Sequence, residues 1–192
     1  MKTLNRIQAE DLLKKAAELN NGNWIKHSYN VAHLAEKIAV KSGMNSDKAY
    51  IFGLLHDIGR REGTTQARHS LDGYNYLIEL EYEAEARICL THTFQYQNID
   101  GIYDGWDCSK EELLFISNHL KSIVYDDYDK LIQLCDALST ADGYCYAEKK
   151  MVSSIIKFGF KNTTIDKWKA ILELKSYFDN KCKMDIYLLF DN

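Results

Sequence analysis

Asn45–Gly63, NSDKAYIFGLLHDIGRREG, is the stretch on which the fold turns. Ala49, Phe52 and His56 share one helical stripe, and Ile51, Leu54, Leu55 and Ile58 make the remaining surface apolar, which describes a buried helix. Asn45 or Ser46 supplies its N-cap. Into this apolar segment the chain places His56 beside Asp57, then Gly59, Arg60 and Arg61. Neighbours on a helix do not face each other. At a last turn they can still converge on one ion, with Gly59 letting the backbone leave the helix. A cation there also meets the negative end of the helix dipole. A His-Asp dipeptide alone is weak evidence. Its meaning depends on whether other ligand-type residues sit on the core-facing stripes of other helices.

Outward from that stretch the pattern stays helical. Upstream, Ile7–Leu19 is amphipathic and ends at Asn20-Asn21-Gly22. Trp24–Ser42 follows and stops at Gly43, with His27, Val31, Leu34, Ala35 and Ile38 on its core stripe. Downstream, a polar loop from Arg60 to Arg68 leads into a helix over His69–Leu80, whose inner stripe is His69, Gly73, Leu77 and Leu80. Tyr82–Thr93 carries Glu85, Ile88 and His92 in line. Phe94–Cys108 is the longest stretch without helical periodicity, a length usually reserved for functional or mobile loops. Ser109 and Glu112 form a capping box into a helix reaching Ile123. Another starts at Asp127 or Asp129, carries Ile132, Cys135, Asp136 and Ser139 on adjoining faces, and has Gly143 near its end. Tyr146–Phe158 and Thr164–Asn180 are two further helices, and Met184–Phe190 a short packed tail. No strand pattern rises above the helical one, so the fold class is all-α.

Composition narrows the function. The 192 residues suit one domain spanning 1–192, with 46% hydrophobic and 27% charged residues. A net charge of −4 leaves no electrostatic footprint for duplex nucleic acid or an anionic membrane. The N-terminal MKTLNRIQAEDLL has neither a signal-peptide pattern nor a membrane span. The five cysteines (Cys89, Cys108, Cys135, Cys145 and Cys182) never form CxxC, which fits reduced thiols in a cytoplasmic protein. Proline is absent, and no linker or repeat divides the chain.

Six ligand-type residues fall on otherwise apolar faces: His27, His56, Asp57, His69, His92 and Asp136, from five helices. A single buried histidine is ordinarily a packed core residue. Buried carboxylates need more, because an uncompensated one is costly, so Asp57 and Asp136 each require a cation or several donors. Mixed imidazole and carboxylate ligands suit one or two divalent transition metals (Fe, Mn, Ni, Co or Zn, with Mg also admissible) rather than a structural tetrahedral zinc.

These residues stand in motifs: His27–Ala35 (HSYNVAHLA), Gly53–Arg60 (GLLHDIGR), Arg68–Gly73 (RHSLDG), Arg87–Thr93 (RICLTHT) and Leu131–Thr140 (LIQLCDALST). In that order, over residues 24–143, the chain resembles the HD-domain metal-dependent phosphohydrolases of the HDIG type. The resemblance implies a single-domain helical bundle with the helices of 146–192 packed on the motif-bearing core. It implies that His27, His56, Asp57 and Asp136 hold one metal, with His56 and Asp57 the catalytic pair. In two-metal members Asp57's counterpart bridges, and His69 and His92 would then hold the second ion. The nearest likeness is to small bacterial dinucleoside-polyphosphate hydrolases. The glycine-tyrosine-proline signature of the cyclic-di-GMP branch is missing.

The expected partner is therefore a small phosphorylated substrate, a nucleotide above all. A divalent ion would polarise a phosphoryl oxygen and bring the pKa of bound water toward about 7. Arg60, Arg61 and Arg68 are candidate phosphate-binding groups. Two alternatives carry the same ligands: an HD-scaffold di-iron oxygenase, and a metal-retaining nucleotide-binding regulatory module. His33 and His119 read as surface or rim histidines. Tyr96, Tyr103 and Trp106 read as loop packing or a base-stacking platform, and Asp104, Asp107, Asp126 and Asp127 as solvated caps or turns.

Overall fold

The computed structural model describes residues 2–102 and 107–190. Tyr103, Asp104 and Trp106, read above as loop residues, lie outside the described residues. The elements run α1 (Arg6–Leu19), α2 (Asn23–Ser42), α3 (Ser46–Leu55), a 3-10 turn (Ile58–Glu62), α4 (Arg68–Glu79), α5 (Glu83–Thr91), α6 (Lys110–Ser122), α7 (Asp127–Leu138), α8 (Ala147–Phe158) and α9 (Thr164–Cys182). Short 3-10 turns cover Ile99–Gly101 and Ile186–Leu189. The fold is all-α.

Local chemistry sets the ends. Asn45 caps α3 by accepting from the Lys48 backbone N–H, and Ser109 and Glu112 form the expected box at the head of α6. Gly43 ends α2 in the left-handed region at φ 72°. One boundary differs. The helix carrying Asp136 stops at Leu138 rather than near Gly143, and Ser139–Thr140 pairs with Gly143–Tyr144 in a two-residue antiparallel hairpin. The Thr140 side chain donates to the Gly143 carbonyl (3.0 Å) and accepts from Asp142 N, which favours the turn over another helical turn.

Two close approaches hold the centre together. A Cβ on Gly53 would lie 2.7 Å from the Ala32 Cα, so α3 and α2 touch backbone to backbone. Gly59 has the same reason to be glycine: a Cβ there would lie 2.0 Å from the His69 carbonyl oxygen and 2.4 Å from Gly73 N. It serves the approach of α4 more than the helix exit read from the sequence, since α3 has already ended at Leu55. Around these contacts, α2, α3 and α7 pack with α8 and α9 in one apolar cluster, while α1 covers the other side of α2 and α3.

The Phe94–Cys108 loop is anchored where it is described. Phe94 and Ile102 are buried, Tyr125 donates to the Phe94 carbonyl (2.9 Å), and the Gln97 amide bonds to the carbonyls of Leu120 and Ile123. No helix among the described residues is long and apolar enough to cross a membrane.

Candidate metal centre

The last turns of α3 and α5 and the first turn of α4 aim three imidazoles at one point. Each ring is held the same way. His56 Nδ1 donates to the Gly53 carbonyl (2.7 Å), His92 Nδ1 to the Cys89 carbonyl (2.8 Å), and His69 Nδ1 to the Gln66 carbonyl, every partner lying three residues earlier. That bond fixes the tautomer, leaving the lone pair on Nε2 and directing it away from the residue's own turn.

Asp57, two residues past the end of α3, lies where those lone pairs meet. Its Oδ1 is 3.1 Å from His69 Nε2 and 3.5 Å from His92 Nε2, and its Oδ2 is 3.8 Å from His56 Nε2. Asp136 Oδ1, from the last turn of α7, is 3.0 Å from His27 Nε2 and 4.0 Å from His56 Nε2. Two overlapping ligand groups result, His27-His56-Asp57 and Asp57-His69-His92, each with its donor atoms within 4.8 Å of one another. Asp57 belongs to both. The fold thus brings together all six residues singled out from apolar stripes. His56, Asp57, His69 and His92 are buried, whereas His27 and Asp136 stay partly exposed on the cavity side.

The donor set fits a divalent cation. His56 Nε2 and Asp57 Oδ1 are buried without a hydrogen-bond partner, and His69 Nε2 and His92 Nε2 stand 3.3 Å apart with their lone pairs facing one region. Buried orphan acceptors around a shared point are what a cation satisfies. At His56 a proton does not take its place. Burial pushes His56 down to about 3, so it is neutral at pH 7. Burial alone would raise Asp57, but the Arg60 guanidinium holds it well below the usual carboxylate range. Asp136 likewise lies well below that range, because the His27 bond and Lys150 outweigh burial. Four imidazoles and two ionised carboxylates suit a transition metal.

The three arginines separate. Arg60 donates from Nε to Asp57 Oδ2 (2.6 Å) and lines the adjoining cavity. Arg61 lies over the Tyr76 ring (3.9 Å to the centroid) and pairs with Glu62. Arg68 forks onto Glu112 (2.9 and 2.8 Å) and pairs with Asp72. Arg61 and Arg68 are thus not brought to the cavity. Both line a separate surface groove with Asp72 and Glu79: Arg61 leaves on the 3-10 turn, and Arg68, next to His69 at the start of α4, does not share its helix face.

The remaining histidines keep their bland reading. His33 is exposed between Tyr29 and Tyr50, and His119 packs edge-on to Tyr74. Of the acidic residues expected as solvated caps or turns, Asp126 is one, and Asp107 and Asp127 do more. Asp107 accepts from the backbone of Gln66 and Arg68, fixing the start of α4. Asp126 caps α7, and Asp127 ties α7 to Tyr177 and Lys181 of α9.

The cavity beside the ligands measures about 440 Å³. Its far wall comes from α8 and α9 through Lys150, Phe158, Lys167 and Trp168, with Trp24 and Gln95 on its flanks. Sequence reading missed all of these. Trp24 alone gave a signal, three residues before His27 on the same helix face. Tyr96 is not among the cavity's lining residues.

The HD domain family matches residues 24–141, which include all six ligand residues and end before α8. The chain belongs to the HD-domain family. HD domains are typically metal-dependent phosphohydrolases. The chain is also similar to ribonuclease Y of Mycoplasmoides gallisepticum (strain R(low / passage 15 / clone 2)), with 28% identity over 128 residues, 64% of this chain and 19% of that protein. The HD-domain chain therefore spans about a fifth of the length of that relative. No solved structure matches it.

Proposed function

We propose that this HD domain is a metal-dependent phosphohydrolase acting on a small phosphorylated molecule, a nucleotide in the first instance. One observation carries the reading. Asp57 stands between two sets of preset Nε2 donors at the floor of a cavity of about 440 Å³ that also exposes cationic side chains. His27, His56, Asp57 and Asp136 would hold one divalent ion, and Asp57, His69 and His92 a second. A cation so held supplies a Lewis acid for a phosphoryl oxygen and lowers the pKa of bound water toward about 7.

The chain's own residues do the rest. Arg60 is steadied by its bond to Asp57 and presents a planar fork suited to phosphate oxygens. Lys150 is fixed by donating to the Ser139 carbonyl (2.9 Å) and sets a second positive charge on the cavity wall. The name of ribonuclease Y points to RNA as that relative's substrate. Here the net charge of −4 and a cavity of about 440 Å³ favour a small molecule over a long polyanion.

The test is metal analysis of the purified protein, followed by a phosphate-release screen over nucleotides and sugar phosphates with Mn, Co, Ni, Fe and Mg. Wild type is expected to hold metal and release phosphate, and Asp57→Ala to lose both. An Asp57→Ala protein with wild-type metal content and turnover overturns the assignment.

A further inference from the structure

The metal ligands account for one end of the cavity and leave the other end without a role. That other end is built by α8 and α9, beyond the part of the chain that the HD family matches. Its aromatic side chains are Phe158 and Trp168, and Trp24 stands on the flank. The two tryptophans differ in one respect. Trp24 Nε1 donates to the Asn20 carbonyl (2.9 Å), whereas Trp168 Nε1 is buried with no hydrogen-bond partner. Gln95 repeats the pattern with opposite polarity. Its amide nitrogen bonds to the His92 carbonyl (3.2 Å), which leaves its Oε1 buried and unpartnered on the same cavity. A tryptophan N–H withdrawn from water without an acceptor is uncommon, and a cavity wall is where a ligand can supply one.

We propose that the α8–α9 wall is the specificity subsite of this HD domain. It takes a flat heteroaromatic ring, the base of a nucleoside phosphate, whose acceptor edge bonds Trp168 Nε1 while Phe158 covers a ring face. The inference rests on the phosphohydrolase reading for the phosphate end and adds what discriminates among phosphate esters. A donor and an acceptor, one on each of two walls, suit a base edge that carries both functions. A sugar phosphate offers no flat face and leaves the indole N–H unsatisfied, so the wall rejects it by leaving a buried polar group unpaired. Trp168 is thus a specificity residue that touches the ring and not the reacting atoms.

The test reads binding and not turnover, so it fails separately from the hydrolase reading. Non-hydrolysable methylenephosphonate analogues of AMP, GMP, CMP, UMP and ribose 5-phosphate are titrated calorimetrically into the metal-loaded protein. At least one nucleoside analogue is expected to bind about tenfold more tightly than the ribose analogue, the size of one well-made hydrogen bond. Trp168→Phe, which keeps a ring and loses the N–H, should remove most of that preference and leave ribose-analogue affinity near wild type. Four nucleoside analogues binding no better than the ribose analogue overturn the proposal. A wild-type preference that survives in Trp168→Phe overturns it too. Phe158→Ala, at a half-buried position, gives an independent reading through a lost base preference, and the wild-type comparison needs no variant. Base-selective binding with no phosphate release under any metal keeps the subsite and sinks the hydrolase reading. Phosphate release with no base preference does the reverse.

Discussion

Asp57 turns its two oxygens to different neighbours, Oδ1 to His69 and His92 and Oδ2 to Arg60 and His56. Replacing His69 and His92 together by Ala leaves His27, His56, Asp57 and Asp136 in place. The double variant should therefore lose one metal equivalent and most activity while its helical circular dichroism stays near wild type. A wild-type protein that saturates at one equivalent in excess metal refutes the second site. Acid sensitivity also follows from single residues. The folded pKa of His56, about 3, lies below the unfolded value near 6.5, so the unfolded chain takes up the proton first. The stability from neutral His56 is complete above about pH 6.5 and is lost as pH falls from there toward 3. In chelated protein the loss between pH 7 and 4.5 should reach about 2–3 kcal/mol by urea denaturation, and His56→Gln should flatten it. The depressed carboxyls of Asp57 and Asp136 act lower, their contribution present above about pH 4 and lost below it. The six ligand-type residues were legible in the sequence because each interrupts an apolar stripe, and the core geometry follows from such stripes. The placement of Arg61 and Arg68 was not, because charge and nearness in sequence carry no direction: Arg61 leaves on a 3-10 turn, and Arg68 and His69 are helix neighbours on different faces.

At the scale of elements, glycines set how close the ligand-bearing helices come. Gly59→Ala places a methyl group 2.0 Å from the His69 carbonyl, and only a shift of α4 relieves it. A destabilisation of about 3 kcal/mol is expected, the upper end for overpacking. Metal content should fall with it, because His69 moves with α4, and urea melts with metal analysis check both. A second tie joins α5 to α7. Asp129 is fully buried and accepts from Arg87 Nε (3.1 and 3.2 Å), Thr91 Oγ1 (2.8 Å) and Asp126 N (2.9 Å). Gln133 adds a bond to the Thr91 carbonyl (3.0 Å). The residue before His92 is thereby pinned to the helix that carries Asp136. Helix boundaries were legible from caps and periodicity, as at Asn45 and Ser109. The hairpin after Leu138 was not, since two-residue strands have no period and the Thr140 side-chain bonds that favour it are local. The Asp129 network was equally silent, because an acidic residue in the first turn of a helix looks like a solvated cap.

For the whole molecule, the candidate ligands come from α2, α4 and the ends of α3, α5 and α7, so an ion bound there would cross-link elements far apart in the chain. Ions that bind only the folded state raise its stability by mass action, about 2.7 kcal/mol at a hundredfold excess over Kd. Thermal melts should therefore rise with added Mn or Co and fall with chelator, and Asp57→Ala should show neither response. An unchanged wild-type melt under both conditions counts against a metal centre. The bundle and the ligand end of the cavity could be read from the sequence, but the α8–α9 wall could not. Trp168 and Lys150 face the cavity through the docking of whole helices, which no local pattern records. One consequence of the shared carboxylate reaches past the site itself. Because Asp57 belongs to both candidate ligand groups, two loading events would share one negative charge and would not be independent. A first ion would take much of that charge, so a second would bind more weakly than it would alone. By reciprocity the same factor governs the opposite order of loading. If both groups take an ion, such an HD domain would fill in two steps over a range of metal concentrations, through a distinct half-loaded form.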